Sequence, residues 1–281
     1  MVGPPEPAFR APGPDSAVSP AGTARRIAFV NEKGGTGKTT LAVHVAAWLA
    51  RSRKLRVLLV DLDTQGHAGK TLGLDVRQLE PNVFHFLTDP AVRLDDVRRA
   101  TDVPGLAVVP AYKQMAGLAA ALGTGEAAAR RLGERLDEFR AEQDVVVLDG
   151  PPSLGLSVTS MLVAASEVVI PVALTYLALD GCAEVARTVE RTAEEFHRPD
   201  LRVSAVVPMM HRRTALAEAV RERLETYFPG RVTPPLGVNV AIDEAQSHGK
   251  TVWEYAPRSR GAQMMTAVAE AVWTLGEAPP A

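Results

Sequence analysis

Cysteine is almost missing from this chain of 281 residues, where Cys182 stands alone. One thiol excludes an intrachain disulfide framework and any cluster held by several cysteines of one chain, and it fits a reducing cytoplasm. A charge excess of either sign is missing too. The 31 Lys and Arg set against 33 Asp and Glu leave a formal net charge of −2, so nucleic-acid affinity has to come from a local patch. No apolar run approaches the roughly 18 residues of a membrane span, so no membrane partner is expected. The histidines lack metal-ligand spacing. The proline-rich start of the chain has no hydrophobic signal core.

What is present is core-forming. A hydrophobic content of 46% supports one large α/β domain, two small ones being the alternative. Prolines at 4, 5, 7, 12, 14 and 20 with few large apolar residues predict a disordered tail over residues 1–24. That tail is either an inert leader or a partner contact using Arg10, Arg25 and Arg26. The domain is expected over residues 25–276, with a flexible end at 277–281 where Pro279 and Pro280 cannot continue a helix. Apolar runs at 27–31, 57–61, 106–110, 145–149, 168–172 and 203–208 read as strands. Helical spacing recurs near 39–52, 114–121, 126–141, 154–165, 180–197, 214–228 and 261–275. The alternation predicts βαβ units in a doubly wound, mostly parallel sheet flanked by helices.

Residues 31–40 read Asn-Glu-Lys-Gly-Gly-Thr-Gly-Lys-Thr-Thr, between a short apolar run and a helix. A phosphate cradle needs glycines that let the backbone wrap an anion, a lysine for the β/γ-phosphates and a hydroxyl for Mg²⁺. Gly34, Gly35, Thr36, Gly37, Lys38, Thr39 and Thr40 supply them. A strand leading through a glycine loop into a helix aims N–H groups and the helix dipole at a phosphate. The run departs from the common G-x-x-x-x-G-K-[ST] pattern and adds Lys33, a second cation able to reach across a dimer interface.

Ligands of open α/β sheets sit beyond the carboxyl ends of strands, which is where Asp61, Asp63 and Asp149 fall. Mg²⁺ keeps several waters, so the Thr39 hydroxyl with Asp61 and Asp149 in an outer shell suffices. Asp63, two residues past Asp61, is placed to orient an attacking water. For each Asp the competing role is a helix cap or turn former. His44 reads as packed within the first helix, His67 as part of a local turn, and Cys182 as a small buried residue.

The chain resembles the ParA/MinD class of deviant-Walker P-loop ATPases over residues 26–275, most closely the short, Soj-like ParA branch. Residues 33–40 look like the deviant Walker A motif with Lys33 as its signature lysine, 61–66 like switch I, and 149–153 like Walker B with switch II. Residues 171–181, 244–250 and 255–262 also look like ParA segments. The resemblance implies Mg²⁺-dependent hydrolysis of ATP to ADP and phosphate, with Lys33, Lys38 and Asp63 as catalytic residues. It implies an ATP-bound homodimer in which Lys33 of each subunit contacts the other's nucleotide. It further implies non-specific DNA binding, a ParB-like or cargo-adaptor partner that stimulates hydrolysis, and a cytoplasmic, nucleoid-associated protein that positions a chromosome, plasmid or protein cargo.

In the family the adenine lies near Pro208, Met209 and Val238. Arg213 matches a family arginine, and Arg212, Lys250, Arg258 and Arg260 are further candidate DNA contacts, with Arg187 and Arg191 on a helix. A second family arginine aligns with Ala241, and Thr64 and Gly150 stand where the family often has Pro and Thr. Two alternatives remain: a MinD-like membrane regulator, which needs a basic amphipathic C-terminal helix, and a low-turnover nucleotide-dependent scaffold. Residues 261–275 carry only Glu270 as charge. An iron-protein-like electron carrier needs paired cysteines that are not here.

Overall fold

The structure, a computed structural model, describes residues 24–175 and 178–277. The expected tail, apart from Ala24, and the expected flexible end, apart from Glu277, lie outside the described residues. The first half of the domain runs β1 (Arg25–Phe29), α1 (Lys38–Arg53), β2 (Val57–Asp61), α2 (His67–Thr71), α3 (Val83–Thr88), α4 (Leu94–Val97), β3 (Arg99–Ala100), β4 (Leu106–Val109), α5 (Leu118–Leu122) and α6 (Glu126–Asp137). It continues through β5 (Val145–Asp149), α7 (Leu156–Ala164), β6 (Glu167–Ala173), α8 (Ala178–Glu195), β7 (Arg202–Met209), α9 (Ala215–Tyr227), α10 (Val240–Ser247), α11 (Val252–Tyr255) and α12 (Arg260–Glu277).

The strands form one sheet in the order β3-β4-β2-β5-β1-β6-β7, parallel throughout except for β3 against β4. β2 and β5 are buried at every position, which is why they read as continuous Val/Leu runs. The two-residue period of a strand sorts the core into two layers. Ile27 and Phe29 pack on the face covered by α1 and α12, whereas Ala28 and Val30 pack on the face covered by α6, α7 and α8. In β2, Val57 and Leu59 share the first face, Leu58 and Val60 the second.

β1 lies between β5 and β6; the chain runs from β1 to β2 on one side and later crosses from β5 to β6 on the other, so the winding reverses at β1 and a crevice opens past its carboxyl end. Register then sets two carboxylates side by side, because Asp61 is the partner of Asp149 and Asp149 is the partner of Phe29.

Several expectations change. Arg25 and Arg26 are not free for a partner: they open β1. Arg25 pairs with Glu167, donates to the Trp273 carbonyl at 3.0 Å and sits 4.0 Å from the centre of the Trp273 ring. Arg26 pairs with Asp137. The stretch near 114–121 is a 3-10 helix (Lys113–Gly117) running into α5. The two-residue antiparallel β3 and the short helices α2, α3, α4, α10 and α11 carry too little periodicity to be read from sequence. α12 turns Met265, Val268, Ala269 and Val272 into the core, so it is a packed sheet-covering helix rather than a free amphipathic one. No described helix is long and apolar enough to cross a membrane.

Candidate nucleotide site

The loop between β1 and α1 is pinned before it begins to turn. Asn31, buried at the end of β1, donates from Nδ2 to the Pro171 carbonyl at 2.7 Å and accepts the Lys33 N–H at 2.8 Å. Gly35 and Gly37 then adopt left-handed backbone with φ of 70° and 83°, a region that costs a Cβ-bearing residue free energy. Gly37 also packs against the Met209 side chain, whose terminal Cε would have to shift for a Cβ, 2.6 Å away, to fit. α1 starts at Lys38 with no side-chain cap on its first N–H groups, which leaves these donors to an anion. The loop forms one wall of a cleft of about 900 Å³. Counting back from Gly37, the first-glycine position of the common loop pattern is held by Glu32.

Lys38 is 6% exposed and donates from Nζ to the Lys33 carbonyl at 3.1 Å. Burial pulls its pKa down, and the nearby carboxylates Asp149 and Asp63 pull it back up. Lys33 itself is exposed and does not line the cleft, its backbone fixed by Asn31, Lys38 and Thr36.

The three strand-end carboxylates divide their work. Asp61 is fully buried and uses both oxygens, accepting the N–H of Asp63 at 3.0 Å and of Ala68 at 3.0 Å. It therefore caps the first turn of α2, and burial raises its carboxyl to about 7 against those hydrogen bonds. Asp63 accepts the Gln65 N–H at 3.0 Å, an Asx-type turn, and still lines the cleft. Asp149 is fully buried and neither of its oxygens has a hydrogen-bond partner. Burial and then the Asp61 charge push its carboxyl well above the usual range, while the Thr39 hydroxyl beside it works the other way.

A buried carboxylate of this kind needs an explanation, and a cation supplies one. Thr39, Asp149 and Asp61 fit Mg²⁺, which takes few direct protein oxygens and keeps its waters. Among the described residues no cluster of three or more His, Cys, Asp or Glu is arranged to hold a metal, so an all-protein cage is not what this site offers.

Gly34 through Thr40 and Asp63 line one cleft. The expected adenine contacts do not line it. Met209 is buried behind Gly37, Pro208 is buried in β7, and Val238 is 55% exposed and borders a second hollow of about 520 Å³ with Arg213 and Arg260. Arg212, Arg213, Lys250, Arg258 and Arg260 are all exposed, and none appears among the ion pairs of the described residues. Arg191 instead acts on Glu32.

Sequence reading missed Lys70, Thr71 and Gln246 in the cleft wall. Lys70 and Thr71 sit on α2, too short to be recognised, and Gln246 arrives from 206 residues beyond Thr40. The glycine at 150 also has a local reason: Met161 Sδ lies 2.7 Å from where a Cβ would stand, so Met161 takes the space a threonine side chain would use.

The comparisons agree with this geometry. The AAA domain family model matches residues 24–203. The sporulation initiation inhibitor protein Soj of Bacillus subtilis is 40% identical over 248 residues, covering 88% of this chain and 97% of the relative. The chromosome-partitioning ATPase Soj of Thermus thermophilus is 40% identical over 252 residues, covering 88% and 95%. A solved structure of cobyrinic acid a,c-diamide synthase from Mycobacterium smegmatis, with bound ATP analog and magnesium, superposes with a TM-score of 0.77 at 28% identity and covers 91% of this chain and 96% of that one. With the glycine loop, Lys38 and Asp63 lining one cleft and the paired carboxylates Asp61 and Asp149 buried at the ends of neighbouring strands, the chain belongs to the Soj/ParA family of P-loop ATPases.

Proposed function

We propose that the protein hydrolyses ATP to ADP and phosphate and uses the cycle as a dimer switch that binds DNA without sequence preference. In this reading it segregates or positions a chromosome, plasmid or protein cargo at the nucleoid, and a ParB-like or cargo-adaptor protein stimulates hydrolysis. The observation that carries the nucleotide part is the unpartnered, fully buried Asp149 beside Thr39 at the foot of the anion cradle.

Thr39, Asp149 and Asp61 would hold Mg²⁺, which when bound neutralises charge on the phosphate oxygens. Lys38 and the uncapped N–H groups of α1 bind phosphate; Asp63, held by its turn at the cleft wall, orients the attacking water. Lys33, exposed and outside the cleft lining, is free to contact nucleotide held by a second subunit. Base contacts at Pro208, Met209 and Val238 are carried by the family resemblance alone, since none of the three lines the cleft. Arg212, Arg213, Lys250, Arg258 and Arg260, exposed and without salt bridges, meet DNA phosphates.

The test is DNA binding by the Asp63→Ala protein with ATP and with ADP across a salt series. Binding with ATP alone, weakening with a log–log slope of about −0.9 per phosphate contacted, is expected. An ATP-bound dimer that ignores DNA at low salt would refute the DNA half and leave the ATPase half standing.

A further inference from the structure

We propose that Gln246 is a positioning residue that transmits occupancy of the phosphate cradle to the α10–α11 segment. The inference rests on the phosphate-binding reading above. The Thr40 hydroxyl, in the first turn of α1, donates to Gln246 Oε1 at 3.1 Å. Gln246 Nε2 donates one turn back along α10 to the Ile242 carbonyl at 3.3 Å, so the amide is held at both ends. Thr40 and Gln246 both line the cleft.

Two further ties fasten the same segment. The Thr40 carbonyl accepts from His44 Nδ1 at 2.7 Å, and His44 Nε2 accepts the Val252 N–H that opens α11 at 3.1 Å. Between α10 and α11, Gly249 lies against Gly73 just past α2, where a Cβ on Gly249 would be 2.6 Å from Gly73 Cα. Lys250 follows in that turn, and Arg258 and Arg260 come after α11.

The His44 contacts run through a backbone carbonyl and a backbone N–H, and the glycine contact is backbone to backbone, so none of them uses a side chain that lines the cleft. The Thr40–Gln246 bond differs, because its donor sits where a phosphate binds. An anionic oxygen makes a hydrogen bond roughly twice as strong as a neutral amide carbonyl does. A phosphate in the cradle therefore draws the Thr40 hydroxyl away from Gln246. Its Oε1 is released, and the last turn of α10 loses its attachment to α1 while α11 keeps its own.

Hydrogen exchange of residues 240–255, with calorimetry of Mg·ADP and a non-hydrolysable ATP analogue run in parallel, tests this. Wild type should change exchange in that segment on binding nucleotide by about fivefold, the size of one neutral hydrogen bond. Gln246→Leu should bind nucleotide and keep the response of residues 33–41, yet exchange faster at 240–255 without nucleotide and lose the response there. Gln246→Asn, with the amide kept but drawn back, should behave the same if the leucine variant folds poorly. Thr40→Ser should retain the wild-type response. A Gln246 variant that binds nucleotide and responds at 240–255 as wild type does overturns the proposal. Failure of wild type to bind nucleotide at all overturns the cradle reading, and this proposal with it.

Discussion

Acid should loosen this protein through one histidine. His44 is fully buried, with Nε2 accepting from Val252 and Nδ1 donating to Thr40. Burial drives its pKa down from 6.5 to about 4, against the opposing pull of the Thr40 hydrogen bond and the Glu254 charge. The unfolded chain therefore binds a proton that the native state refuses. Stability is complete above pH 6.5 and falls as pH drops from 6.5 towards 4. The shift of about 2.5 units, at 1.36 kcal/mol each, bounds the loss at about 3 kcal/mol, of which about 2 kcal/mol is lost by pH 5.

Urea denaturation in EDTA from pH 7.5 to 5 should be run on wild type and on His44→Gln, which can serve both partners without titrating. Carboxylate contributions are common to both proteins and cancel in the difference. At pH 7.5 the variant should be the less stable, and its deficit should shrink by about 2 kcal/mol by pH 5. A deficit that does not vary with pH, or an imidazole NMR titration of His44 near 6.5, would refute the reasoning.

Asp149→Asn should raise the stability of the nucleotide-free protein in EDTA by about 1–3 kcal/mol, because it replaces a buried carboxylate lacking a partner by a neutral amide of the same shape. The same variant should lose Mg²⁺-dependent nucleotide affinity; a destabilised variant with normal Mg²⁺ dependence would argue against the cation site. Lys38→Ala should weaken ATP binding by about 100-fold or more in calorimetry, the scale of a charge-assisted hydrogen bond near 3 kcal/mol. Lys33→Ala should bind ATP with near-normal affinity yet remain monomeric by light scattering; an ATP-dependent dimer would remove Lys33 from the interface.

The local parts of this fold were legible in the chain and the remote ones were not. The run 57–61 predicts its strand to the residue, and 145–149 does likewise, because strands buried on both faces leave no polar interruption. The glycine loop declares itself through residue type and spacing. Asp149 and Asp61 were legible as strand ends, but not their difference. That Asp61 spends both oxygens on backbone N–H groups while Asp149 spends none follows from the turn into α2 and from sheet register. Arg25 reads as a tail cation until Glu167 and Trp273 arrive from 142 and 248 residues away. Gln246 lies in the ParA-like stretch 244–250, but its role was not legible there, since an amide in a polar helix looks like any solvated residue until its partner across the cleft is known.

α1 explains how nucleotide chemistry and a remote surface can share one control point. Thr39 faces Asp149, Thr40 holds Gln246 by its hydroxyl, and His44, one turn further on the same helix, holds the start of α11. The proposed metal site, the proposed latch and the His44 anchor thus lie within two turns of one helix that is buried along most of its length. A rigid element of that kind does not need a long chain of side-chain shifts to connect cleft and surface. The one weak joint is the neutral Thr40–Gln246 bond. Because Ala241 stands where the family's second arginine would be and Asp243 and Glu244 are exposed beside it, α10 brings acidic rather than basic charge to the proposed DNA face. Its influence there has to come through where it holds Lys250, Arg258 and Arg260, and that makes Gln246 the residue whose loss should separate nucleotide binding from DNA binding.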